Sequence, residues 1–285
     1  MTDLNPHAKQ MADESMVRNL EAQARAIWPQ EVDLILNYGL SEWENPNDPP
    51  SARSALRILD AGCGTGEISS RLADLFPHAH VLGVDIIDAH LELARERCAQ
   101  YGPRLQFGHQ SIYDLAAHDG TYDLTLCRHV LHSIPHADRA IAELVRVTRP
   151  GGWVHLVPED YGMLHFQPGG LDIRAFWHET PARYAAATGT DLFVGRNAYS
   201  ILVDLGLTDI RVSYVTVDTV RVERETFARI IEAWRDGYAE SISELATMSR
   251  DQVTAHFDQM IADIRNPRRY AVWMVPVVAG CVPKR

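Results

Sequence analysis

A chain of 285 residues with 46% apolar and 23% charged side chains can bury a sizeable core, as one elaborated domain or two small ones. Its formal net charge of −11 argues against a nucleic-acid partner, and no apolar run is long enough to span a bilayer. Cys63, Cys98, Cys127 and Cys281 form no CxxC pair, so neither a zinc site nor a disulfide framework is indicated, and no histidine spacing suggests a metal. The polar stretch Met1 to Glu14 lacks the basic-then-apolar pattern of an export signal, which predicts a cytoplasmic protein.

Residues 12–27 place Leu20, Ala24 and Ile27 at helical spacing. Pro29 suits the first turn of a second helix, with Glu31 and Asp33 near its positive end and Gly39 as its stop. Asn45 to Arg53, rich in Pro, Asn, Asp and Ser, reads as a linker. From Leu56 apolar strands alternate with amphipathic helices. The strands are Leu56–Ala61, His80–Ile86, Leu105–Gln110, Tyr122–Cys127 and Trp153–Val157. The helices are Glu67–Phe76, Asp88–Tyr101 and His136–Val147, stopped by Pro77, Gly102 and Pro150-Gly151-Gly152. That alternation predicts an α/β fold with a parallel sheet covered on both faces.

After Val157 the rhythm changes. Leu171–Thr188 and Ala198–Leu205 read as helices and Ile210–Val220 as a strand. Thr226–Ile264 reads as two helices and Tyr270–Val278 as the last strand. The expected organisation is a helical lid over residues 1–45 and one domain over residues 46–285. A helical insertion at about residues 222–266 of that domain packs over the active-site edge.

Asp60-Ala61-Gly62-Cys63-Gly64-Thr65-Gly66 follows a strand and opens a helix, where glycines let the backbone approach a ligand. The spacing is GxGxG, and Asp60 precedes it. A pyrophosphate would be repelled by that carboxylate, whereas the amino group and sulfonium of S-adenosylmethionine (SAM) would not. Asp85 ends the next strand, where open α/β sheets place a carboxylate on ribose hydroxyls, and Ile86 can cover one face of adenine. These two features suit nicotinamide enzymes as well.

Four landmarks together resemble the class I SAM-dependent methyltransferases, in particular the small-molecule branch similar to ubiquinone/menaquinone-type enzymes. They are Asp60 to Gly66, Val84-Asp85, Tyr122-Asp123-Leu124 through Leu131-His132, and Arg146 to Gly152. The resemblance implies a Rossmann-like seven-stranded sheet and SAM as cofactor. It further implies that Asp60, Gly62 and Gly64, with Cys63 as small filler in the turn, line the methionine portion. Asp85 would take the ribose, Ser111 and Ile112 would flank adenine, and Arg128 and His129 would pass beside the SAM amino group. The family usually has Asp where Ser111 stands, so a neutral hydroxyl replaces a charged acceptor.

Acceptor groups should gather at the C-terminal ends of the strands. This selects His129 and His132 after the fourth strand and Glu159, Asp160 and Tyr161 after the fifth, with His129, Glu159 and Tyr161 as the catalytic candidates. His155, within a strand, reads as a core residue. Trp28, Tyr38, Phe176, Trp177, Tyr184 and Trp234 read mainly as core, with some building the acceptor pocket. The expected activity is methylation of N, O or C on a small metabolite. A SAM-binding regulator without acceptor chemistry and a nicotinamide oxidoreductase are the alternatives, and the oligomeric state, monomer or homodimer, stays open.

Overall fold

The computed structural model describes residues 6–40, 55–245 and 247–284. The linker expected at Asn45 to Arg53 lies outside the described residues, apart from its surroundings at Leu40 and Ala55.

Eight strands form one sheet: β1 Arg57–Ala61, β2 His80–Asp85, β3 Leu105–His109, β4 Tyr122–Arg128, β5 Thr148–Val157, β6 Leu164–Phe166, β7 Thr208–Asp218 and β8 Ala271–Cys281. Their order is β3-β2-β1-β4-β5-β8-β6, with β7 also paired to β8. The first five strands are parallel to one another, and β8 runs antiparallel to β5, β6 and β7. The sheet therefore exceeds the expected seven strands by β6, a three-residue segment too short to show alternation.

Nine helices are described: α1 Ala8–Met11, α2 Glu14–Leu36, α3 Glu67–Leu75, α4 Asp88–Arg97, α5 Ala137–Val147, α6 Ile173–Thr188, α7 Ala198–Asp204, α8 Arg224–Leu245 and α9 Arg250–Arg265. None is long and apolar enough to cross a membrane. The insertion before the last strand is two helices, as its pattern predicts, and the capping box of Ser249 and Gln252 starts the second of them. The helix break expected at Pro29 is absent. Helix α2 runs through that residue for 23 residues, with Asp13 capping its start. Proline normally costs a helix a hydrogen bond. Here the second half of α2 is held by tertiary contacts: Glu31 and Ile35 are fully buried, and Gln30 exchanges two hydrogen bonds with the backbone of Thr216.

Apolar residues cover both faces of the sheet. Leu72 of α3 and Ala24 and Ile35 of α2 pack with Ile58 and Leu124 on one side. Ile141 and Leu144 of α5 and Leu202 of α7 pack with Leu59 and Val154 on the other. A third cluster joins α6, α8 and α9 to β7 and β8 through Phe176, Phe227, Phe257 and Trp273. Strand order reverses between β1 and β4, and an open α/β sheet offers a crevice at that point.

Candidate active site

Between the end of β1 and the start of α3, Gly62, Gly64 and Gly66 adopt φ of +78°, +51° and +80°. Gly62 and Cys63 donate their amides to the Val84 carbonyl, which pins the turn to β2. A Cβ at Gly62 would overlap Val130 Cγ2, and one at Gly64 would approach Leu20 Cδ1 to 2.8 Å. The turn is therefore crowded by the protein itself on the side of β4 and α2. Burial pushes the Cys63 thiol well above its ordinary range, which suits small filler and not a nucleophile.

Asp85 braces the same turn. Its Oδ2 accepts from the Gly64 amide at 2.8 Å, and its Oδ1 accepts from Ile86 and Ile87 at 2.8 and 3.0 Å. Asp60 is buried and accepts from Ser69 Oγ at 2.6 Å. Burial pushes its carboxyl up to about 6, against the opposing pull of Ser69 and Arg128.

Two abutting cavities meet at this turn. A cleft of about 580 Å³ is lined by Gly62, Gly64, Asp85, Ile86, Ser111, Ile112 and Arg128, among others. A smaller one of about 30 Å³ is lined by Asp60, Gly62, Cys63 and Arg128. Every residue expected to bind the cofactor borders one or the other, and His129 borders both. Sequence reasoning missed Met11, Leu20 and Gln23, which reach these cavities from the N-terminal helices. It also missed Asp114, which lines the cleft beside Ser111 and whose amide donates to the Ser111 carbonyl at 3.1 Å. The unmatched serine was the available signal, since Asp114, three residues on, brings a carboxylate to the lining of the same cleft.

Arg128 has a partner that no motif announced. Its Nε and Nη2 donate to the two Glu31 oxygens, each at 2.7 Å, and both residues are buried. Glu31 also meets His155 Nε2 at 3.0 Å, and His155 Nδ1 meets the Tyr38 hydroxyl at 2.7 Å. Burial pushes the Glu31 carboxyl up, but the Arg128 charge and the His155 hydrogen bond outweigh it and hold it near about 2. The pair fixes α2 against β4 and leaves little of the Arg128 charge for a ligand. His155 is a satisfied core residue.

The acceptor candidates divide. His129 sits at φ +55°, uncommon for a non-glycine residue, and its Nδ1 meets Glu159 Oε1 at 2.6 Å. His129 Nε2 and Glu159 Oε2 are buried without hydrogen-bond partners among the described residues. Asp160, by contrast, is fully engaged: both its oxygens accept from Arg196 at 2.7 Å, and Oδ1 also accepts from the Gly162 amide. Asp160 thus starts the turn at Tyr161–Met163 and has a structural place. Tyr161 packs among other rings. It stacks on Trp177 with ring centroids 5.4 Å apart, and its edge contact with His132 is at 5.6 Å. Burial raises its phenol well above the ordinary range, so Tyr161 can donate a hydrogen bond but does not abstract a proton near neutrality. Burial also lowers His132 to about 3, which keeps it neutral.

Tyr161, His132, Trp177, Tyr184 and Trp234 border a further chamber of about 50 Å³. Trp28, Tyr38 and Phe176 do not line it. Tyr38 instead stacks on Trp153 at 4.4 Å, against the sheet.

Residues 58–152 match the family model described as Methyltransferase domain. Among curated relatives, the chain is 35% identical to trans-aconitate 2-methyltransferase of Deinococcus radiodurans over 164 residues, 55% of this chain and 60% of that protein. It is 34% identical to the ubiquinone biosynthesis O-methyltransferase of Aromatoleum aromaticum over 99 residues, 34% of this chain and 42% of that protein. The matched segments thus span less than two thirds of these relatives. Among solved structures, phosphoethanolamine N-methyltransferase 2 of Haemonchus contortus, in complex with S-adenosyl-L-methionine, superimposes with a TM-score of 0.56 at 18% identity. That superposition covers 97% of this chain and 60% of the other, and it establishes the shared fold. Residues 58–152 thus match a methyltransferase domain, in a chain that shares the fold of the SAM-bound phosphoethanolamine N-methyltransferase 2.

Proposed function

We propose that this chain transfers the methyl group of SAM to an N, O or C nucleophile of a small molecule. The observation that carries this reading is the convergence of Asp60, Gly62, Cys63, Gly64, Asp85, Ile86, Ser111, Ile112 and Arg128 on two abutting cavities where strand order reverses. The donor set fits the cofactor: a carboxylate for its amino group, a second for its ribose, a glycine turn bordering both cavities, and Ile86 and Ile112 for its base. When bound, SAM supplies an electrophilic methyl on a sulfonium.

Each remaining task falls to the protein. Orientation of the acceptor is worth up to about 7–11 kcal/mol. The His129–Glu159 pair, with His129 bordering both cofactor cavities, is placed to take a proton from an acceptor that must lose one. Helix α2, through Leu20 and Gln23, and α1, through Met11, cover the cofactor cavities and act as the lid that excludes water.

Calorimetry with S-adenosylhomocysteine (SAH) and with NAD tests the cofactor, and conversion of SAM to SAH in the presence of a small-molecule cell extract tests the reaction. Heat with SAH, none with NAD and extract-dependent turnover are expected. Absence of heat with both SAM and SAH sinks the reading, and binding without turnover leaves only a regulatory role.

A further inference from the structure

The chamber beside His132 shares no lining residue with the cofactor cavities, and its chemistry names a class of acceptor. We propose that it receives a small aliphatic amine as its ammonium ion; this rests on the methyltransferase reading and adds the substrate class to it.

The walls are electron-rich rings. Tyr161, Trp177, Tyr184, Trp234 and Tyr238 line the chamber. Trp234 stands edge-on to both Tyr161 and Trp177, at 5.4 and 5.9 Å, so the three rings form a corner. Ring faces attract cations most strongly where water is excluded. His7 and His132 also line the chamber, and burial lowers them to about 4 and about 3, so neither opposes a cation. No arginine or lysine lines it among the described residues, so a phosphate or carboxylate would find no counter-charge there.

One acid beside the chamber has spare capacity. Glu159 acts on His132, Tyr161 and Tyr238 of the chamber, and its buried Oε2 has no partner among the described residues. Nor has the buried Nδ1 of His132. Two unpartnered polar groups in such a setting point to a polar guest.

Volume sets the size. A dry cavity of roughly 150 Å³ holds benzene. At about 50 Å³, this chamber is far too small for a ring and suits a head of a few heavy atoms. It also adjoins the cofactor cleft, since Tyr238, a wall of the chamber, donates to Sδ of Met11, a wall of the cleft.

The chemistry balances. The bound ammonium gives one N–H proton to the Glu159–His129 pair, which frees the nitrogen lone pair. That pair forms the new N–C bond as the C–S bond breaks, with the C–S electrons staying on sulfur. The cationic charge passes from sulfur to the methylated nitrogen, which the rings continue to hold.

Saturation-transfer NMR on the SAH-loaded protein tests this with methylammonium, methanol and acetate at matched ionic strength. Methylammonium should bind roughly ten-fold more tightly than methanol, with acetate not binding. The preference should vanish in Trp234→Leu, and it should also fall in the nearly isosteric Glu159→Gln, which decides the matter if Trp234→Leu does not fold. Equal or better binding of methanol or acetate overturns the proposal, as does a preference that survives the variant. Failure of SAH itself to bind instead overturns the methyltransferase reading.

Discussion

The proposed cofactor side and the proposed acceptor side of His129 are built on different plans. On the cofactor side, backbone amides, glycines and two carboxylates do the positioning, and most come from the short run Asp60 to Gly66 together with Asp85. On the acceptor side, rings contributed by the segment before α1, the turn after β5, and α6, α8 and α9 close a chamber whose walls run from His7 to Phe257 in sequence. The first is a local solution to binding one invariant ligand. The second is assembled from distant segments, so its shape can change without disturbing the sheet.

The sharpest way to separate the two sides is Gly62→Val. At φ +78°, with Val130 already occupying the space a Cβ needs, the substitution distorts the turn before any ligand arrives. Loss of detectable SAH binding by calorimetry is expected, with a lowered melting temperature. Retained affinity would mean that the turn does not face the cofactor. Glu159→Gln strikes the other side. It should lower turnover by roughly 10²–10⁴-fold. SAH affinity should stay unchanged, because Glu159 lines neither cofactor cavity. Weakened SAH binding with intact turnover would remove Glu159 from the acceptor machinery.

This contrast also explains what the sequence could and could not show. The five parallel strands and the helices between them announce themselves by period and punctuation, and Gly62 and Asp85 follow from their places at strand ends, whereas Ser111 comes only with the family resemblance. Helix α2 misleads at Pro29 because the residues that carry it past the proline, Gln30 and Glu31, find their partners in β7 and β4. The aromatic chamber is equally hidden. Trp177, Trp234 and Tyr238 sit on helices at ordinary core spacing, and only tertiary packing distinguishes a chamber wall from a core residue.

The link between the two plans is the Arg128–Glu31 pair, which ties α2 to the end of β4. Glu31→Gln leaves Arg128 buried with half its partner, which should cost about 3–5 kcal/mol in denaturant unfolding. The pH dependence has a definite sign. The Glu31 carboxyl is held down near about 2, so its contribution is present above the ordinary carboxylate range and is lost as pH falls toward 2. The variant should lack that acid limb. An unchanged unfolding midpoint in Glu31→Gln would show that α2 is held by its apolar contacts alone.

The smallest effect tests the cofactor side by itself. The Asp60 carboxyl is pushed up from 3.8 to about 6 in the folded chain. Between those values an unfolded chain ionises first, so ionising Asp60 costs the free protein stability as pH rises through that window. A ligand with a cationic amino group reverses the preference, because it favours the ionised carboxylate. SAH affinity should therefore climb with pH up to about 6, by at most about ten-fold per unit for one proton, and then level off. Asp60→Asn should bind more weakly above that point and show no such slope. Methylammonium affinity should show no break attributable to Asp60, which borders the cofactor cavity and not the chamber. A slope in SAH affinity that persists in Asp60→Asn would move the amino-group contact to another acid, with Asp114, in the same cleft, the first to examine.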